Sequence, residues 1–188
     1  MKSFFYILFF ITLFVFQACK PSPYKAENYY HDILTSLESV IENEDSLVVA
    51  INTIMIHDSV TSSAIAVTED TTVLNELHKK LDIAFNNLRL QISVSFNKIS
   101  SMPPFDKEDN LRVAAIKLVE TYKNICDKEY AEVITIVKTP AVNYTYEDDN
   151  KFLEITEMID NNLQDRIDNF AGEAKIFAKN YKFNLENE

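Results

Sequence analysis

The sequence predicts an all-α protein, an antiparallel up-down-up-down four-helix bundle, for three reasons. Apolar residues recur at spacings of three and four through four long segments, the period of a helix with one dry face. Short stretches punctuated by proline or rich in Ser and Thr separate those segments. Gly172 is the single glycine among 188 residues, so the usual residue of tight hairpin turns is missing and an all-β fold is disfavoured.

The first segment, residues 25–57, carries Tyr30, Leu34, Leu37, Ile41, Val48, Ile51 and Met55 as its stripe. "DSVTSSAIAVTED" follows at 58–70; it is unperiodic and reads as a loop. The second segment, 70–101, carries Leu74, Leu77, Leu81, Phe85, Leu88, Ile92, Phe96 and Ile99. Pro103 and Pro104 stop it. The third, 107–138, has Leu111, Ala115, Leu118, Tyr122, Ile125, Val133 and Ile136, with Asp106 placed to cap its start and Pro140 to end it. The fourth, 147–185, is the most regular: Phe152, Ile155, Ile159, Leu163, Ile167, Phe170, Ala174, Phe177 and Tyr181 face one way. Glu154, Glu157, Asn161, Asp165 and Asp168 face the other. Thr145, with Asp148 three residues on, supplies its N-cap and an acidic first turn. Each rod spans about 45 Å at 1.5 Å per residue, and short connections favour antiparallel neighbours.

What precedes the first segment sets the address. Lys2 is followed at 4–16 by "FFYILFFITLFVF", thirteen residues in which only Thr12 is polar. That length suits the apolar core of a secretory signal and is short for a spanning helix of about 20 residues. Next comes Phe16-Gln17-Ala18-Cys19. A small residue directly before a cysteine, straight after the apolar core, resembles the lipobox of bacterial lipoproteins. The resemblance implies cleavage before Cys19 and acylation of its thiol and new amino group. Each buried methylene contributes roughly 0.8 kcal/mol, so two or three chains anchor stably where one does not. Phe16 and Gln17 are uncommon at their places in that motif, and the competing readings are an ordinary signal with a chance cysteine or an uncleaved anchor. The expected organisation is therefore a signal peptide at 1–18, a lipidated tether at 19–24 and the bundle at 25–188. Pro21 and Pro23 suit the tether. Lys20, where an Asp would favour inner-membrane retention, points to the outer membrane.

Three stretches, "MPPFD" at 102–106, "LVETYKNICDKEY" at 118–130 and "IFAKNYKFNL" at 176–185, together with the lipobox and the helical layout, carry a further likeness. The chain resembles a poorly characterised family of small helical surface lipoproteins from Bacteroidetes and spirochaetes. The resemblance implies a lipid-anchored helical protein of the cell envelope, and brings no enzyme activity and no catalytic residues.

Composition narrows the chemistry. Removal of residues 1–18 takes away only Lys2, leaving 17 basic residues against 29 acidic ones. Such a balance argues against a nucleic-acid partner, whose phosphates need cations. Cys126 would be the one thiol left beside Cys19 and reads as a small buried hydrophobe. A single glycine cannot build a phosphate-cradling loop, and no nucleophile–base signature is present. No cofactor is implied and the chain reads as a non-enzyme, a lipoprotein with a binding or assembly role, for which another envelope protein is the candidate partner.

Three polar residues interrupt the stripes. Glu44 aligns with Tyr30, Leu37 and Ile51; His78 sits at the edge of the Leu74 and Phe85 row; Glu129 aligns with Leu118, Tyr122 and Ile136. In antiparallel rods all three fall within about 10 Å of one height, with Thr156 near it. Two carboxylates and an imidazole there would make a cation site, the alternative function. The competing reading is that the carboxylates reach the bundle's edge or are paired. A di-iron centre is excluded, since its Glu-x-x-His pairs are missing. His31 and His57 each precede an aspartate; adjacent residues do not share a helix face, so they read as surface histidines. The acidic stripe of the fourth helix reads as a solvated face.

Overall fold

The computed structural model describes residues 21–63 and 71–185. Cys19, the apolar segment before it and the whole of the expected lipobox lie outside those residues. The described chain is all-α, with no strand. The helices are α1 (Pro23–Ser63), α2 (Thr71–Ser101), α3 (Asn110–Ile125), α4 (Ala131–Val137) and α5 (Tyr146–Tyr181). A π-helical turn, Cys126–Tyr130, joins α3 to α4 without a break, so these form one rod and the described residues make four. None of the described helices is long and apolar enough to cross a membrane.

Two boundaries differ from the sequence reading. Helix α1 continues through Ser63 instead of giving way to a loop at 58. Ser, Val and Thr cost only tenths of a kcal/mol each in a helix, and without Gly or Pro an established helix propagates through them. The third rod begins at Asn110, not at 107. Asp106 does accept backbone hydrogen bonds, from Glu108 N (3.1 Å) and Asp109 N (2.7 Å), but it closes a turn before the helix. Asp109 then takes the left-handed conformation, φ 53°, as the residue from which the helix starts.

The last helix starts as the sequence requires. Thr145 and Asp148 form a reciprocal capping box: the Thr145 hydroxyl accepts from Asp148 N, and the Asp148 carboxylate accepts from Thr145 N at 2.8 Å. Its far end has no glycine. Lys182 adopts φ 60°, and Phe183 N donates to the Ala178 carbonyl, the bond that closes a helix C-terminus.

One hydrophobic core runs through all four rods. Leu81, Leu88, Ile92 and Ile99 of α2, and Ile155, Ile159, Leu163, Phe170 and Phe177 of α5, are buried as expected. Between α1 and α2 the close approach is made by small residues: the buried Ser95 hydroxyl donates to the Ser36 carbonyl at 2.7 Å. At the end holding the α2–α3 turn, Phe105 packs against Tyr29, Phe177 and Tyr181, with ring centroids 5.0–5.2 Å apart. Tyr29 donates to the Pro103 carbonyl (3.2 Å), and Tyr181 donates to Asp106 (2.9 Å). Arg112 pairs with Asp109 and also reaches the Ser100 carbonyl, one of the orphan acceptors at the end of α2.

Candidate functional site: the crevice between the first and last helices

Helix α1 is apolar over a wider arc than the sequence stripe suggested. Ile33, Val40, Leu47 and Ile54, a row one heptad apart, are wholly buried, and Tyr30, Leu37 and Ile51 are buried beside them. Leu34, Ile41, Val48 and Met55, read from the sequence as core, form the outer row. Leu34 and Met55 are half-buried, while Ile41 and Val48 each keep 37% of their surface in water. The true core face is thus turned by about one residue from the expected one, and the outer row borders a crevice.

Part of that crevice is a groove of about 430 Å³. Its α1 wall is Tyr30, Leu34, Leu37 and Ile41; its α5 wall is Ile167, Phe170, Ala171 and Ala174; Leu118 lies between them. Ala171 and Ala174 are the local cause. Two methyl groups stand where larger side chains would fill the space against Leu34 and Ile41, so the helices touch the core without closing over it. Lys175 and Leu185 complete the lining.

One helical turn beyond Ile41 on α1, and one beyond Leu118 on α3, the surroundings become polar. Tyr130 donates to Glu44 Oε1 at 2.6 Å, and the Tyr122 hydroxyl donates to the same carboxylate. Both tyrosines are buried and Glu44 is half-buried. Burial raises the Glu44 carboxyl above its ordinary value, against the two hydrogen bonds that favour its charged form; Asp45 and Asp160 push the same way as burial. Tyr122 and Tyr130 are likewise pushed up, first by burial and then by the Glu44 charge, which keeps both phenols neutral. Cys126 lies between them on the same rod. It is buried as the sequence suggested, and burial pushes its thiol up to about 12.

The π turn arranges this cluster. Its wider i→i+5 spacing inserts an extra residue into the rod, which carries Tyr130 inward in line with Tyr122 and Cys126. The same shift moves Glu129 off the stripe on which an unbroken helix would hold it. Glu129 is half-buried; its Oε2 is shut from water and has no hydrogen-bond partner among the described residues. His78 is half-buried on α2. Glu44, His78 and Glu129 are not assembled into a cation site: among the described residues no three His, Cys, Asp or Glu side chains are grouped so as to hold a metal ion. Thr156 turns its hydroxyl back to the Phe152 and Leu153 carbonyls of its own helix. His31 and His57 are half-buried instead of lying on the surface, His31 with its ring 5.6 Å from that of Tyr30.

Sequence reasoning found Glu44 but not its partners. Tyr122 passed as a core residue, and Tyr130 drew no notice because it falls off the stripe of a regular helix. The available signal was the row Tyr122, Cys126, Tyr130 at successive four-residue steps, which a slightly under-wound helix keeps on one face. No protein-family model, no curated protein and no solved structure matches this chain.

Proposed function

We propose that the chain is a lipid-anchored bacterial envelope lipoprotein, held in the outer membrane through Cys19, whose helical domain acts by binding and not by catalysis. The address rests on the sequence alone: the apolar segment 4–16, Ala18 before Cys19, and the proline-bearing tether. The helical domain is an antiparallel up-down-up-down bundle in this reading. Its support is the run of paired residues. Tyr29 meets Pro103 and Ser36 meets Ser95, so α1 and α2 run in opposite senses. Arg89 with Asp127 and Arg112 with Ser100 do the same for α2 and the third rod. Lys151 with Glu132, and Tyr181 with Asp106, do so for the third rod and α5.

The binding role is carried by one observation, the open groove of about 430 Å³ between α1 and α5, walled largely by hydrocarbon. Hydroxyls held neutral beside Glu44 are hydrogen-bond donors, not nucleophiles, which favours binding over catalysis. The anchor is tested by growth with labelled palmitate. Label is expected in the wild-type chain and absent from Cys19→Ser, which should accumulate as the longer precursor. Equal labelling of the two, or a wild-type chain that is neither labelled nor shortened, refutes the address.

A further inference from the structure

We propose that the groove between α1 and α5 binds one free long-chain fatty acid, its hydrocarbon chain laid along Leu34, Ile41, Ile167 and Phe170 and its carboxylate held at Lys175. This deepens the binding reading of the crevice and rests on it.

Size excludes larger occupants. About 430 Å³ falls within the range of small-ligand sites, roughly 300–1,000 Å³. The α1 wall runs from Tyr30 to Ile41, about 16 Å at 1.5 Å per residue, which makes the groove long and narrow. Its lining of eleven residues is far short of the roughly 20–30 residues a side of a stable protein interface, so a second copy of the chain is a poor fit.

Charge selects the head group and the direction. Among the described residues Lys175 is the only charged one lining the groove; it is exposed and makes no ion pair with any of them. It lies toward the end lined by Tyr30 and Leu185. Beyond the opposite end stand Glu44 and Asp160, whose charges act on the same site. A monoanionic amphiphile is attracted at one end and repelled at the other, so its methyl end points toward Leu118 and its carboxylate toward Lys175. A neutral lipid gains nothing from Lys175. An acyl chain already esterified to Cys19 carries no carboxylate, which favours the free acid over the anchor's own chains.

The test uses the full chain in maltoside micelles with a photoreactive, diazirine-bearing palmitate analogue, the attachment sites being mapped by mass spectrometry. Label is expected on residues 30–41 and 163–175, displaced by unlabelled palmitate more readily than by hexadecanol. Ala171→Trp, which fills the groove, should cut that labelling at least about tenfold, the scale on which occluding a small apolar site acts; circular dichroism reports whether this variant keeps its helices. Lys175→Glu alters an exposed side chain and serves as an independent arm. It should weaken labelling by the acid about fivefold, the upper range for an exposed ion pair, and leave labelling by the methyl ester unchanged. Label spread evenly over the chain, confined to residues 4–16, or indifferent to both variants overturns the proposal. So does groove labelling that appears only in Cys19→Ser, which would assign the groove to the anchor's acyl chain. Intact mass of the same samples reads acylation of Cys19 separately. Groove labelling on an unacylated chain would sink the address and spare the ligand; an acylated chain with an unlabelled groove would do the reverse.

Discussion

The aromatic end of the molecule and the crevice between α1 and α5 draw on the same residue types, yet one closes and the other stays open. At the closed end, Phe105 enters from the α2–α3 turn and packs between Tyr29, Phe177 and Tyr181, and a cavity of about 30 Å³ remains. Each hydroxyl at that end finds an acceptor on a different segment: Tyr29 on Pro103, Tyr181 on Asp106. Among the described residues no interhelical loop enters the crevice, and Leu185, beyond the end of α5, is the one non-helical residue in its lining. Its walls come from chain-distant helices, and the residues opposed to Leu34 and Ile41 include two alanines. Closure follows from what a connecting segment can insert, not from how apolar the facing helices are.

The largest effect expected from that contrast comes from truncating the closed end. Phe177→Ala removes a ring at the centre of the aromatic cluster and should destabilise by about 3–5 kcal/mol in denaturant titration, whereas Ile41→Ala, already partly in water, should cost under about 1.5 kcal/mol. Equal losses would erase the distinction between the two regions.

Next is the polar end of the crevice. Tyr130→Phe deprives a half-buried carboxyl of its 2.6 Å donor and should cost about 1–3 kcal/mol. The pH dependence sharpens this. Burial raises Glu44 in the folded chain, so the folded state binds its proton more tightly than the unfolded state. The stability it contributes is complete below the ordinary carboxylate value and is lost as pH rises through the raised folded value. Relative to Glu44→Gln, whose side chain does not titrate, the wild-type chain should therefore lose stability from acid toward neutral pH. A constant difference between the two would mean that Glu44 is not held in the environment described.

Smaller and opposite in sign are two helix-backbone changes. Lys182 terminates α5 in a left-handed conformation that costs a residue with a Cβ about 1 kcal/mol, so Lys182→Gly should raise stability by about that amount. Gly172 sits within α5 with nothing within 4 Å of the position a Cβ would take, and Gly172→Ala should add about 0.5–1 kcal/mol. A loss of stability on either change would contradict the geometry of α5, which supplies one wall of the crevice.

The segments, their approximate lengths and most of their inward residues were legible because helix periodicity and capping are local. Thr145 and Asp148 cap α5 through atoms three residues apart, and Phe152 to Tyr181 keep one face whatever lies opposite. The third rod was legible along its length, with Val133 and Ile136 buried as expected, but the inward place of Tyr130 was not, since the π turn at Cys126–Tyr130 leaves no gap in the helical pattern. Glu44, His78 and Glu129 are not grouped as a metal site among the described residues.

By itself, then, the sequence determined that four amphipathic rods form and that α1 carries an apolar stripe from Tyr30 to Met55, because backbone hydrogen bonding and side-chain period depend only on near neighbours. Which row is sealed, that Glu44 meets Tyr130 across 86 residues of chain, and that Leu34 and Ile41 face a groove were decided by the tertiary structure alone. Burial depends on what a distant helix presents at the same height, and on α5 that is Ala171 and Ala174.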